Sequence, residues 1–349
     1  MSAPRGANEI LERSRELVAP ALHRAVAALT DEVRPIAEYH FGWRDADGHL
    51  VEHDGGKGVR PALAVLSAEA VGASAEFGIP GAVAVELVHN FSLIHDDVVD
   101  HDEERRHRPS VWALYGIGKA VIVGDALLAL AEQSILDSQR VLGVGAAARE
   151  AAVARAARRI VDATSKMIAG QALDMDFEHT DFVGLDACRE MEAGKTGALL
   201  SCASAIGAEF AGAGAELVAA LARFGLELGL AFQAIDDVLG IWGDPQATGK
   251  PAGSDLRSAK KSLPVVAALA RGGPEADELS ALLRRGDLDD EATARAAALV
   301  EKSGGRQLAL DEAARRLDQA IDAIALDAIT DRARDELTEL ARFVVEREF

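Results

Sequence analysis

Two apolar stretches of this chain close on adjacent aspartates, IHDDVVD at 94–100 and AIDDVLG at 234–240. That combination constrains the fold strongly. Each stretch must be buried along most of its length, yet its acidic end must meet positive charge. On an α-helix, residues four apart share a face, so Asp96 and Asp100 point the same way. His89, seven before Asp96, lies on that face too, whereas Asp97 sits about 100° round the wheel and is a weaker ligand. Stacked like charges repel, and a divalent cation turns the repulsion into attraction. Oxygen ligands beside phosphate-binding groups select Mg²⁺. Arg105 and Arg106 follow closely, spaced to hold an anion such as diphosphate. For the aspartates taken alone, a solvated acidic helix end before a basic turn is the plain alternative.

Around the second pair, Gln233 lies three before Asp236 and four before Asp237. The loop after it, 243–264, is rich in Gly, Pro and Lys and carries Lys250, Lys260 and Lys261. A loop of that length is functional or disordered; Lys261 is expected to face solvent. If the two acidic clusters face one another, several Mg²⁺ ions could bind one diphosphate, as inward carboxylates do in four-helix cores. Upstream, GGKGVRP at 55–61 could cradle a phosphate on backbone N–H groups, or form a turn with solvated charges. Gln171 and Asp174 share a face in GQALD. Lys195 sits beside Thr196 in an apolar helix, where it either snorkels or pairs with an anion.

The remaining pattern is helical. Of the 349 residues 49% are apolar but only 4% aromatic, and period-2 alternation is scarce, which favours close-packed helices. Helices are expected at 8–40, bent at Pro20 or Pro35, and at 61–71, 80–100, 111–136, 146–178, 185–207 and 214–242, with a helical scaffold over 265–349. With no separating linker, residues 1–349 are expected to form a single domain. The net charge of −20 disfavours nucleic acid and anionic membranes as partners, and an anionic substrate therefore needs local cations. Cys188 and Cys202 provide no disulfide framework or zinc spacing. The first residues lack the pattern of a signal peptide, and no uninterrupted apolar run reaches membrane-spanning length. A cytoplasmic protein without stable membrane insertion is expected.

Taken together and in order, these motifs resemble the polyprenyl synthetases, the trans-isoprenyl diphosphate synthase family, over about residues 50–265. GGKGVRP is similar to the family's GGKxxRP, HNFSLIHDDVVD with RRHRP to its first Asp-rich motif and arginines, and GQALD, KT, FQAIDD and the lysine loop to the rest. The resemblance implies an all-α fold, a single-domain helical bundle around a deep central cavity, a homodimer, and condensation of isopentenyl diphosphate with an allylic diphosphate. Lys57, Arg60, His89 and Arg106 would hold isopentenyl diphosphate; Arg105, Lys195, Lys250 and Lys260 would hold the allylic diphosphate. Asp96 and Asp100 would bind two Mg²⁺ and Asp236 another, about three in all. Thr196 and Gln233 would steady the developing cation.

Product length would depend on the cavity floor below the first motif. Ser92 points roughly into the cavity and Phe91 about 140° away from Asp96. An aromatic at the Phe91 position alone resembles C20 makers, which favours geranylgeranyl diphosphate, with farnesyl diphosphate (C15) as the alternative. Three positions depart from the family pattern. Gly240 replaces the usual last Asp of the second motif, weakening support around the metal there. His107 stands where Gly is frequent, and Trp112 where His is common. A class I terpene cyclase would carry Ser and Glu in the second motif, and DDVLGIWGD has neither. A non-catalytic subunit would lose the Asp motifs, and both pairs are kept.

Overall fold

Proline and glycine set the helix boundaries in the N-terminal part. The computed structural model describes residues 4–51, 56–138, 146–244, 252–286 and 288–346. Residues 8–40 are two helices rather than one bent helix: α1 (Ala7–Ala27) and α2 (Arg34–Phe41). Pro20 is tolerated inside α1, while Pro35 stands in the first turn of α2, where a missing N–H costs nothing. The single helix expected at 111–136 is likewise two, α5 (Val111–Tyr115) and α6 (Ile117–Asp137). Gly116, at φ 86° and ψ 155°, lies between them in a conformation no helix contains. Between these pairs run α3 (Val59–Ala70) and α4 (Ile79–Val99), the latter preceded by a 3₁₀ turn at Ala75–Gly78.

The chain divides into two compact units. One comprises Met1–Thr164, Leu199–Ala222 and Ile324–Leu340; the other comprises Ser165–Ala198, Arg223–Ala323 and Ala341–Phe349. In the first, α4 packs along α6 and against α3 and α1. Leu87, Ile94, Leu127 and Ile135 are fully buried there, each worth roughly 2 kcal/mol of apolar transfer. His95 settles on α6 because Gly124 has no side chain: a Cβ there would stand 2.1 Å from His95 Nε2.

The second unit contains the C-terminal part of α7 (Ala146–Glu178), then α8 (Leu185–Glu192). The helix expected over 185–207 is interrupted by a π-helical turn, Ala193–Gly197, before α9 (Ala198–Phe210), which belongs to the first unit from Leu199 onward. Next come α10 (Ala215–Trp242), in this unit from Arg223 onward, and α11 (Ser254–Arg257). They are followed by α12 (Leu263–Ala270), α13 (Pro274–Leu283), α14 (Asp290–Lys302) and α15 (Gly305–Ala323). Ile241, Leu256, Val265, Leu279 and Leu299 form its core. The last helix, α16 (Asp331–Val345), belongs to the first unit as far as Leu340.

Among the described residues the strands are one two-residue hairpin, Glu104–Arg105 with Arg108–Pro109, so the fold is all-α as expected. Two helical stretches, Ala75–Val99 and Ala215–Trp242, are long and apolar enough to cross a membrane by composition, but 61% of each apolar window is buried inside the protein. These are the helices that end in the aspartate motifs, and their apolarity is that of core helices.

Candidate active site

α4 delivers the first acidic cluster. Its regular turns continue through Asp100, whose N–H donates to the Asp96 carbonyl at 2.8 Å, with φ −83° and ψ −4° at Asp100. The two carboxylates therefore leave one face a turn apart; Asp96 is half-buried and Asp100 exposed. Asp97, on the inner side, is buried. Its oxygens accept from Arg105 Nε at 2.8 and 2.9 Å, and Arg105 Nη2 lies 2.6 Å from Oδ1. Burial lowers the Arg105 pKa, but the Asp97 hydrogen bonds and charge, with Asp96 and Asp102, raise it on balance. Asp97 thus orients an arginine of the site instead of serving as a solvated carboxylate.

The hairpin after α4 turns through Arg106 and His107, both left-handed at φ 53° and 59°. This is the position where Gly is usual in the family, and its positive φ supplies the reason. The turn places the Arg106 guanidinium against the GGKGVRP loop: a Cβ on Gly56 would lie 3.1 Å from Arg106 Nη2. Trp112 Nε1 donates to the Asp102 carbonyl at 2.9 Å and ties down the segment behind the motif.

Close by, Arg60 Nη1 lies 3.3 Å from His89 Nε2. Arginine only donates, so His89 accepts at Nε2 and carries its proton on Nδ1. Burial, then the Arg60 and Arg106 charges, push the His89 pKa well below the usual imidazole value. Next to His89 on α4, Asn90 Nδ2 donates one turn back to the Glu86 carbonyl and carboxylate at 2.8 and 2.9 Å. That leaves Asn90 Oδ1 to accept from His40 Nε2 at 3.1 Å. Burial, then Arg106 and Arg105, lower the His40 pKa to about 3. Burial raises the Glu86 pKa, while Asn90, Arg60 and Arg106 lower it in part. The sequence reading missed His40, Glu86 and Asn90. The four-residue spacing of Glu86 and Asn90 was a visible signal; His40 had none. Arg105, Arg106 and Arg108 line a cavity of about 60 Å³ together with His40, Tyr39 and Asp97. Arg108 is held by the carbonyls of Tyr39 and Arg44 at 2.9 and 3.2 Å. Lys57 stands beside Gly56, exposed. Phe91 is buried against the His95 ring, with centroids 4.8 Å apart, and Ser92 is half-buried.

In the second unit the π turn sets the geometry. Extra turns of this kind mark functional positions because they displace one residue from the helical register. This one carries Lys195 and Thr196. It lies so close to α7 that a Cβ on Gly170 would meet the Lys195 backbone N at 2.2 Å, which explains the Gly of GQALD. Lys195 Nζ bonds Asp174 Oδ2 at 2.5 Å. Thr196 Oγ1 donates to Gln233 Oε1 at 2.6 Å, Gln233 Nε2 donates to Asp237 Oδ1 at 2.8 Å, and Leu263 N–H donates to Asp237 Oδ2 at 2.7 Å. The Gln233 amide therefore has one orientation only. Glu192, also missed by the sequence reading, is buried behind Asp237. Burial, then the Asp237 charge, raises its pKa well above the carboxylate range.

Asp236 is half-buried one turn before Gly240 on α10, and Lys260 is half-buried just past α11. Lys261 is buried, not solvated: Nζ reaches the Ala259 carbonyl at 3.4 Å, because left-handed Ala259 turns it inward. Lys250 lies outside the described residues. In each unit the donors suit a hard divalent ion: Asp96 and Asp100 in the first offer carboxylate oxygen only, as does Asp236 in the second, where Gln171 Oε1 is buried without a hydrogen-bond partner among the described residues. Elsewhere, Asp45, Asp47 and His49 bring ligand atoms within 4.8 Å of one another, but Asp45 Oδ1 is engaged by the amides of Asp47 and His49, as in a tight turn.

Apolar helices that end in paired aspartates, with guanidinium groups gathered beside the first of them, are the features of a trans-prenyltransferase of the isoprenoid synthase fold. The polyprenyl synthetase family model matches residues 47–300. A (2E,6E)-farnesyl diphosphate synthase of Mycobacterium tuberculosis is 45% identical over 343 residues, 97% of this chain and 93% of that one. A geranylgeranyl diphosphate synthase of the same organism is 42% identical over 340 residues, with the same coverage. The crystal structure of a polyprenyl synthetase from Streptomyces coelicolor A3(2) superposes with a TM-score of 0.89 at 51% identity, covering 97% of this chain and 99% of that one. The chain belongs to the polyprenyl synthetase family.

Proposed function

We propose that the chain condenses isopentenyl diphosphate with an allylic diphosphate, giving geranylgeranyl diphosphate. The gathering of Arg60, His89 and Arg106 beside the helix that ends in Asp96 and Asp100 is the observation that supports it most. Lys57, Arg60 and Arg106 would bind the diphosphate of isopentenyl diphosphate, with His89 fixing the Arg60 guanidinium. Arg105, Lys195, Lys250 and Lys260 would bind the allylic diphosphate. Asp96, Asp100 and Asp236 would hold about three Mg²⁺, which when bound neutralise the leaving diphosphate. Thr196 and Gln233 would present oxygens towards the developing allylic cation, and the apolar walls would exclude water from it. The product proton would leave with the diphosphate.

Farnesyl diphosphate is the competing product, since the farnesyl-forming relative is 45% identical and the geranylgeranyl-forming one 42%. The protein would act in the cytoplasm as a homodimer. Leu114, Ile117, Val121 and Ile122 on α5 and α6 are between 37% and 58% exposed, an apolar surface that a second copy would cover. The test is incubation with Mg²⁺, isopentenyl diphosphate and a C5, C10 or C15 primer, with dephosphorylated products separated by chain length. A C20 product is expected, absent in Asp96→Ala. Ser92→Phe should shorten it and Phe91→Ala lengthen it. A parent protein that joins nothing overturns the proposal.

A further inference from the structure

Glu192 and Asp237 are both 3% exposed, and their side chains are in hydrogen-bond contact inside the second unit. The surrounding chain brackets the pair. Cys188, one turn before Glu192 on α8, reaches Glu192 Oε1 at 3.5 Å and the Lys261 carbonyl at 3.7 Å. Asp237 Oδ2 accepts from the N–H of Leu263, two residues past Lys261. α8 and α10 thus converge on one short segment, 261–263, and α12 packs against α8 beside it. Among the described residues no lysine or arginine is paired with either carboxylate. Glu192 lies outside GQALD, KT and FQAIDD.

Two carboxylates in contact without a cation cannot both be ionised. The hydrogen bonds show which one holds the proton. Asp237 accepts from Gln233 Nε2 and from a backbone N–H, donors that favour the anion. Glu192 Oε1 accepts from a thiol, a weak donor. Glu192 is therefore the acid, with Oε1 turned to Cys188 and the proton on the oxygen that meets Asp237. Asp237 is then an acceptor on every side. An acceptor there makes Gln233 face it with Nε2 and leaves Oε1 for Thr196 Oγ1.

We propose that Glu192 is a positioning residue for the condensation: by donating a third hydrogen bond to Asp237, it locks the Gln233 amide in the orientation that presents its oxygen. This rests on the reading that Gln233 turns that oxygen towards the allylic cation. Glu192 closes α8 immediately before the π turn, so the same bond ties the turn that carries Lys195 and Thr196 to α10. Glu192 acts through two side chains in series, Asp237 and then Gln233.

The experiment compares kcat and the KM of both substrates in Glu192→Gln, Glu192→Leu, Gln233→Leu and the Glu192→Leu/Gln233→Leu double variant, with melting in EDTA as a control for folding. Glu192→Gln keeps an N–H donor on a side chain of the same length, and its kcat should stay within about threefold of the parent. Glu192→Leu keeps the volume without the donor. It should lower kcat about tenfold with each KM within about threefold, because a small misplacement near the reacting atoms costs rate more than binding. Its melting temperature should hold, since an apolar group of similar volume replaces a buried acid. The double variant should be no slower than Gln233→Leu alone, because the two residues act in series. Glu192→Leu with the parent's kcat overturns the proposal, and so does a loss that Glu192→Gln shares or that multiplies with that of Gln233→Leu. If Glu192→Leu does not fold, Glu192→Met is read in its place with the same expectations. Gln233→Leu with the parent's kcat overturns the reading of Gln233 and the proposal with it, whereas a parent protein that joins nothing overturns the function itself.

Discussion

The Asp97–Arg105 pair gives a prediction whose sign depends on burial. The Asp97 side chain is 1% exposed and that of Arg105 26%. With charge centres about 4 Å apart and an effective dielectric constant of about 20, their attraction is about 4 kcal/mol. Desolvation offsets much of this, so the intact pair adds little net stability. Removing either partner is not symmetrical. Arg105→Ala removes the Nε and Nη2 contacts from a carboxylate with almost no access to water, which should cost about 3 to 5 kcal/mol. Asp97→Ala leaves an arginine that can turn its guanidinium towards solvent, so the cost should be about 1 to 2 kcal/mol. The double variant should be more stable than the sum of the singles implies, by about 2 kcal/mol. Urea unfolding in EDTA without substrate measures all three. Asp97→Ala costing as much as Arg105→Ala would refute the burial reasoning. So would costs that add to within about 0.5 kcal/mol.

Other expectations follow from single contacts. Gly170→Ala places a methyl on the Lys195 backbone, forcing α7 and the π turn apart; a loss of about 2 kcal/mol and a much lower kcat are expected, and wild-type melting would contradict the contact. His107→Gly relieves a left-handed imidazole-bearing residue and should stabilise the hairpin by up to about 1 kcal/mol, read from thermal melts. His40 stays neutral in the folded chain down to about pH 3, whereas an unfolded imidazole protonates near pH 6.5. Its contribution is therefore complete above about pH 6.5 and is lost as pH falls towards 3, at up to about 1.4 kcal/mol per pH unit. His40→Gln should unfold with a shallower acid dependence between pH 6.5 and 5, and equal slopes in parent and variant would exclude this origin.

Local rules carried the sequence reading a long way. Apolar periodicity located α4, α7 and α10, since a helix that must bury most of its surface shows this in every turn. Four-residue spacing put Asp96 and Asp100 on one face, and the backbone stays helical through both. Local rules failed where a single residue reset the backbone. Pro35 and Gly116 each split an expected helix, and the π turn at 193–197 leaves no periodic trace in so short a segment.

The sequence by itself determined the class of fold, the motifs and the residue types that bind anions and hard cations, because these follow from composition and from spacing within one helix. Only the tertiary structure decided which charges are engaged with which. It buried Asp97 under Arg105, set Lys195 on Asp174 and turned Lys261 inward. Each of these joins residues that no helical repeat relates. Their pairing depends on how whole elements pack.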